Sequence, residues 1–415
     1  MVRTYGLSSD HVRSFDIVTG SGELIHVTPD EHAELFWGLR GGKATLGIVT
    51  AIEIDLLPVT HFYGGALYFD GADASAVAHA WLDWGADLPE HSSTSLAFLQ
   101  LPPLPQVPPP LAGRLTVAVR FASLAEESDA KSLIDRIRSI ATPLIDAVGV
   151  LPYAALGAVH ADPVDPMPTH ESTALTNELS HEAVDALLAA AGPGSGSPQT
   201  VVELRLLGGA LAREPEHRSA FCHRDAAFSL FTVGVLAPPM VDAVVPHAET
   251  LGRTMAPWTN GHALPNFAPS VDPEKIARTY DEDTAHWLSA LADTHDRRES
   301  WPSVRSCAGS PELRQLSQPD QIPGVPGATD TRSISGDSDP QRLRTDRAPD
   351  RSWHHQRLAV DADRNLVGVG VDDHLESGAL SQTVLMRPME QPDGLTALLT
   401  EIATIPRVPR SNRGR

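Results

Sequence analysis

The chain changes character at Arg297, and that seam confines any well-packed fold to the residues before it. Residues 297–415 contain no Phe and no Tyr, and they hold 16 Arg and 16 Asp+Glu with no Lys. A segment this poor in large aromatic side chains has little apolar surface to offset the backbone entropy lost on folding. Residues 297–352, rich in Ser, Pro, Asp and Arg without periodicity, read as linker or disorder. Residues 353–415 read as a tail of unknown type. Within it Gln382–Met386, Pro392-Asp393-Gly394 and Leu395–Ile402 suggest strand, turn and helix. A segment translated outside its ancestral frame fits that stretch.

Residues 1–296 therefore hold 16 Lys+Arg against 37 Asp+Glu and carry the whole net charge of −21. An acidic body repels phosphate backbones, so no nucleic acid partner is expected. Hydrophobic residues at 41% and charged residues at 20% fit a globular protein. No run of eighteen apolar residues is present, so no membrane span is expected, and the start Met1–Tyr5 lacks the apolar core of a secretory leader. The expected location is the cytoplasm. The only cysteines are Cys222 and Cys307, too few for a disulfide framework. His354-His355 has no third ligand at metal spacing, so no metal site is expected.

Within the body, residues 14–29 read as a hairpin around Gly20-Ser21-Gly22. Residues 30–39 read as a short helix capped by Asp30, and 47–56 as a strand. From about Val59 strands and helices alternate. Helices are expected at 73–84, 124–140, 180–191 and 238–253, and strands at 94–100, 115–121, 200–207 and 228–236. Trp81 and Trp84, at i and i+3, are most simply core residues. The expected class is α+β, with an antiparallel sheet covered by helices on one face.

Several ordered strings carry a resemblance. They are Tyr5-Gly6-Leu7-Ser8-Ser9-Asp10-His11-Val12, Leu35-Phe36-Trp37-Gly38-Leu39-Arg40-Gly41-Gly42 and Gly47-Ile48-Val49-Thr50. Val202–Ala210, Ala220–Asp225, Pro257–Gly261 with Asn266-Phe267, and Tyr280–Asp296 follow in order. Together they resemble the berberine-bridge-enzyme-like FAD-linked oxidases, which have a PCMH-type FAD-binding domain, over about residues 1–296. The resemblance implies the rear part of that FAD domain at 1–59 and a substrate domain at 60–262. A return strand and closing helix would occupy 263–296. It further implies hydride transfer from a small-molecule substrate to FAD, with a base taking the hydroxyl proton and oxygen reoxidising the flavin.

The family's front half, with its pyrophosphate loop and the histidine and cysteine that bond to the flavin, has no match after Met1. The chain thus reads as N-terminally truncated, and non-covalent, weak FAD binding is expected. Ala44 and Thr45 replace a usual glycine and asparagine, and Leu264 stands where many members have a tyrosine near the flavin. A catalytically silent remnant and a small-molecule binding module are the competing readings.

The resemblance assigns cofactor contacts to Gly6, Leu7, Asp10, Gly41, Gly42, Gly47, Ile48, Val49 and Asn266. Glycines at 41, 42 and 47 would let backbone approach a large planar ligand; taken alone they fit a tight turn before a strand better, and within the matched strings the cofactor reading is the expected one. Glu203 and Arg205, two apart on a strand, share one face. They are either a base and an anion clamp on a pocket floor or a solvated ion pair. Tyr280 is a further candidate proton acceptor, or a residue that packs the closing helix. His223-Arg224 reads as a hydrogen-bonded structural pair.

Overall fold

The computed structural model describes residues 1–43, 46–163, 167–267 and 273–295. The expectations for 297–352 and 353–415, and the substitutions at Ala44 and Thr45, lie outside the described residues. A short helix α1 (Val2–Tyr5) leads into the hairpin β1 (Val12–Val18) and β2 (Leu24–Val27). Gly22 sits at φ +83°, and Thr19 and Glu23 close the turn through a 2.9 Å backbone bond. Helix α2 (Ala33–Leu39) follows, then β3 (Ile48–Ile54), giving a three-stranded antiparallel sheet in the order β2-β1-β3. Asp30 does not cap α2. The cap position is His32, and Thr28 Oγ1 instead accepts from the Asp30 and Glu31 amides.

Phe15, Ile17, Leu35, Phe36 and Trp37 bury one side of this small sheet, together with Leu288 and Leu291 of the closing helix. Both sides of β3 are largely bare: Ile48 is 56% and Val49 36% exposed, and Ile52 and Ile54 are exposed with them.

The larger unit is an eight-stranded antiparallel sheet. Its elements in chain order are β4 (His61–Asp70), α3 (Ala74–Ala86), β5 (Ser92–Gln100), β6 (Leu115–Ser123), α4 (Glu127–Arg138), β7 (Ile145–Asp146), β8 (Gly149–Pro152), β9 (Thr169–Thr176), α5 (His181–Ala191), β10 (Val201–Leu206), β11 (Phe228–Val235) and α6 (Val241–Met255). The strand order is β7-β4-β6-β5-β10-β11-β9, with β8 also paired to β4. Helices α3 to α6 all cover one face: Trp81, Ile134, Leu187 and Leu251 meet Leu67, Val119, Leu96, Leu204 and Leu230 in a single core. The opposite face is only partly covered, by Leu111 and its neighbours over Ala66, Tyr68, Ala97 and Ala118. Helices α7 (Pro273–Ala277) and α8 (Glu282–His295) end the described fold.

The described residues 263–267 of the expected return strand form no strand. After Trp258 the chain runs without a strand to Phe267 and touches β9 through two backbone bonds, Leu175 N to His262 O and Asn260 N to Leu175 O, each 2.9 Å. Among the described residues no helix is long and apolar enough to cross a membrane.

One buried hydrogen bond in this core gives a direct stability test. The Trp81 indole N–H donates to Thr94 Oγ1 at 3.0 Å, and Thr94 Oγ1 donates to the Arg120 carbonyl at 2.7 Å. Thr94→Val keeps the shape and strands the indole donor, so a loss of about 1–3 kcal/mol in chemical denaturation is expected. An unchanged midpoint would show that the bond contributes nothing.

Candidate active site

Strand β10 is central, paired with β5 on one side and β11 on the other. Its alternation fixes what each face receives. Val202, Leu204 and Leu206 enter the helix-side core, so Glu203 and Arg205 must project from the open face. Glu203 is only 2% exposed. It is not a solvated partner of Arg205 but the centre of a cluster. Its carboxylate accepts from Arg120 Nη1 at 2.9 Å and Arg205 Nη2 at 2.7 Å, with His160 Nε2 3.4 Å away.

Arg120 stands two strands off, on β6. On the intervening β5, Ser95 pairs with Arg120 and Ala97 with Ala118. Side chains this small let the guanidinium cross to Glu203. The Arg205 guanidinium lies over the Phe267 ring at 4.8 Å, and Phe267 in turn meets Phe231 at 5.1 Å.

Burial works against ionisation of Glu203. A hydrogen bond with His160 and the charges of Arg120 and Arg205 outweigh it and hold the carboxyl well below the usual glutamate range. Two guanidinium groups against one carboxylate leave the cluster cationic within an acidic protein. Ser95 Oγ, Ser229 Oγ and Arg120 Nε are buried near it without a hydrogen-bond partner among the described residues. Ser95 and Ser229 are the direct cross-strand neighbours of Arg205, so both hydroxyls share its face.

Tyr280 lies elsewhere. It belongs to the small-sheet core, and its hydroxyl donates to the Gly41 carbonyl at 3.0 Å. The structure therefore does not bring Tyr280 together with Glu203 and Arg205; it pins the glycine loop to the closing segment.

The expected cofactor residues divide into closed and open positions. Asp10 accepts from the Leu7 amide at 2.9 Å and from Arg224 Nη2 at 2.7 Å, and Arg40 lies 3.9 Å away, so its carboxylate ties the turn at Gly6 to two buried arginines. Gly41, at φ +141°, packs against the chain itself: a Cβ there would sit 2.4 Å from the Phe221 amide. A Cβ on Gly42 would meet the Gly38 carbonyl at 2.5 Å, and one on Gly47 the Val18 carbonyl at 2.4 Å.

At each of these glycines the protein's own backbone approaches where a Cβ would be, so a close approach within the chain itself accounts for glycine there. Ile48 and Val49 remain open, as does Asn266, which sits in an exposed turn. Lys43 Nζ donates to the Pro265 carbonyl and brings the glycine loop beside that turn. Leu264 is buried against Leu175 and Leu211. Of the expected cofactor residues, Ile48, Val49 and Asn266 are exposed, while Gly41, Gly42 and Gly47 pack against the chain's own backbone.

His223-Arg224 is structural. Arg224 binds Asp10, and the His223 ring stacks on His262 at 3.8 Å. Arg120, His160 and Phe267 are the site residues that sequence reasoning missed. Arg120 had a signal, as the one charge in the otherwise apolar or small run Leu115–Ser123. His160 and Phe267 lie outside any strand or helix and had none.

No family model matches the chain. It is 21% identical over 330 residues to the FAD-linked oxidoreductase sorD of Penicillium rubens, covering 73% of this chain and 66% of the relative. It is 26% identical over 318 residues to (R)-6-hydroxynicotine oxidase of Paenarthrobacter nicotinovorans, covering 70% of this chain and 64% of the relative. The chain thus spans just under two thirds of the length of these relatives. The fold superposes on the Physcomitrella patens BBE-like 1 structure with a TM-score of 0.62 at 16% identity, over 74% of this chain and 68% of that one.

Proposed function

We propose, for a chain whose relatives and structural neighbours over about 70% of its length are FAD-linked oxidoreductases of the berberine-bridge-enzyme-like family, that it presents the substrate face of such an oxidoreductase. Its substrate is a small molecule with a hydroxyl or amine next to the C–H bond that is oxidised. The observation that carries this reading is the ionised, buried Glu203 on the open face of the sheet, beside a half-exposed Arg205.

A carboxylate held this far below its usual range is a weak proton acceptor. We therefore assign Glu203 to orientation rather than to the base role considered from sequence. Its charge fixes Arg205, whose Nη2 donates to Glu203 while Nε and Nη1 hold no hydrogen bond among the described residues. Those free donors are suited to a polar or anionic substrate group. Ser95 and Ser229 add two neutral hydroxyls at the same level of the sheet.

FAD supplies the hydride acceptor in this reading. This chain contributes an apolar strip, Ile48 and Val49, and the Asn266 turn. The 415-residue chain by itself then holds FAD weakly and without a covalent bond. A second reading, a binding module without redox activity, is favoured by the closed positions of Gly41, Gly42 and Gly47.

One assay separates the two. The purified chain with saturating added FAD is screened for hydrogen peroxide release against hydroxylated heterocycles, phenolic alkaloids and oligosaccharides. FAD-dependent peroxide formation that falls tenfold or more in Arg205→Gln supports the oxidoreductase. Substrate binding detected by calorimetry without peroxide at any FAD concentration contradicts it in favour of the binding module.

A further inference from the structure

On the covered side of the sheet, away from Glu203, helices α3 and α5 each carry a histidine and, four residues on, an aspartate: His79 with Asp83, and His181 with Asp185. Residues at i and i+4 share a helix face, and here the two faces meet with their pairs crossed. His79 Nε2 lies 3.0 Å from Asp185 Oδ1, and His181 Nε2 lies 3.0 Å from Asp83 Oδ1. The two Nδ1 atoms lie 2.8 Å apart.

Hydrogen-bond stoichiometry constrains what can occupy this arrangement. An ionised carboxylate only accepts, so each histidine must give its Nε2–H to its aspartate. A neutral imidazole with Nε2 protonated has a bare lone pair on Nδ1. The two Nδ1 atoms are then turned toward each other at 2.8 Å, close enough for a shared proton or a metal ion to lie between them. Two carboxylates behind the rings favour a cation at this position.

Histidines oriented by carboxylates on their far nitrogens are the usual form of a metal-ligating imidazole. Two ligands at metal–nitrogen distances of about 2.0–2.1 Å lie about 2.9–3.3 Å apart for bond angles between square and tetrahedral. The observed pair needs to open by only a few tenths of an ångström. Among the described residues no group of three or more His, Cys, Asp or Glu forms a complete cage. Water would therefore fill the remaining positions, which the partial exposure of the His79 and His181 side chains allows.

We propose that His79 and His181, each oriented by an aspartate of the facing helix, form a two-histidine site for a divalent transition metal. The ligand type selects zinc, nickel or copper(II) over magnesium and calcium, which prefer oxygen donors. The bound ion ties α3 to α5 on the face opposite the substrate cluster.

Calorimetric titration of the full-length chain with ZnCl2 and NiCl2, alongside thermal melts, tests this without reference to flavin. One ion per chain is expected, with a rise in Tm of about 2–4 °C or more once the metal stands well above its Kd. His79→Gln/His181→Gln should lose both effects while keeping the metal-free Tm. His354→Gln/His355→Gln should keep both, which separates the site from the histidine pair near the C-terminus. Asp83→Asn or Asp185→Asn should weaken binding about ten- to a hundredfold. If the wild type takes up no stoichiometric metal, or the His79/His181 variant binds as tightly as wild type, the proposal is wrong.

Discussion

Replacing Glu203 with Leu is expected to cost about 3–5 kcal/mol of folding stability, because it leaves Arg120 buried without its counter-charge. Glu203→Gln should cost less, since an amide oxygen still accepts one guanidinium hydrogen bond. The pH dependence has a definite sign. Burial opposes the charge of Glu203, but His160, Arg120 and Arg205 together lower its folded pKa below the ordinary 4.5. A carboxyl with a lowered folded pKa contributes stability that is fully present above its unfolded value and lost as pH falls through the folded value. Urea denaturation at pH 7.5 and again below pH 4.5 should therefore show the gap between wild type and Glu203→Leu narrowing on acidification. A gap under about 1 kcal/mol at pH 7.5, the size of an exposed pair, would show that the cluster is not a buried ion pair.

Gly41→Ala should be comparably severe, at about 3 kcal/mol or more. A positive φ of +141° is strained for any residue with a Cβ. The added methyl would also press on the backbone of Ala220 and Phe221 at 2.4–2.8 Å. No flexible side chain is there to yield, so the loop must move, and with it the Tyr280 hydroxyl bond to the Gly41 carbonyl. The effect should appear in flavin-free protein. A variant as stable as wild type without FAD, but defective only when FAD is added, would return this glycine to the cofactor-contact role that its sequence context suggests.

The gap between Gly41 as read and Gly41 as placed shows where sequence reasoning works here and where it stops. Periodicity placed helices α3 to α6 and strands β5, β6, β10 and β11 within a few residues, because each presents one apolar face to a single core. It missed β4, whose Gly64-Gly65 looks like a turn. Those glycines lie inside the strand because the Phe121 and Ala147 carbonyls approach within 2.5 and 2.1 Å of where a Cβ would be. It also missed β9, whose run Thr-His-Glu-Ser-Thr-Ala-Leu-Thr is polar enough to pass for a loop.

In the site, the spacing of Glu203 and Arg205 showed that they share a face but not that the face is closed. Closure depends on Arg120, 83 positions earlier in sequence, reaching across Ala97 and Ser95. The histidine pair at 79 and 181 was hidden for the same reason, since its members meet only through helix packing across 102 positions.

In the proposed reading, this chain supplies a substrate face and only the edge of a flavin seat. If this chain makes fewer charge-assisted hydrogen bonds to FAD than its relatives do, each one lost would cost about 1.5–3 kcal/mol, and binding should be weaker by orders of magnitude. The most direct measurement is flavin absorbance near 450 nm on the purified 415-residue chain, before and after denaturation, with equilibrium dialysis against FAD. The protein should be colourless as isolated. Added FAD should bind only at concentrations of about 10 µM or above, and all of it should leave on denaturation. A yellow protein whose flavin remains on the denatured polypeptide would contradict the account, because it would require a covalent flavin site within this chain.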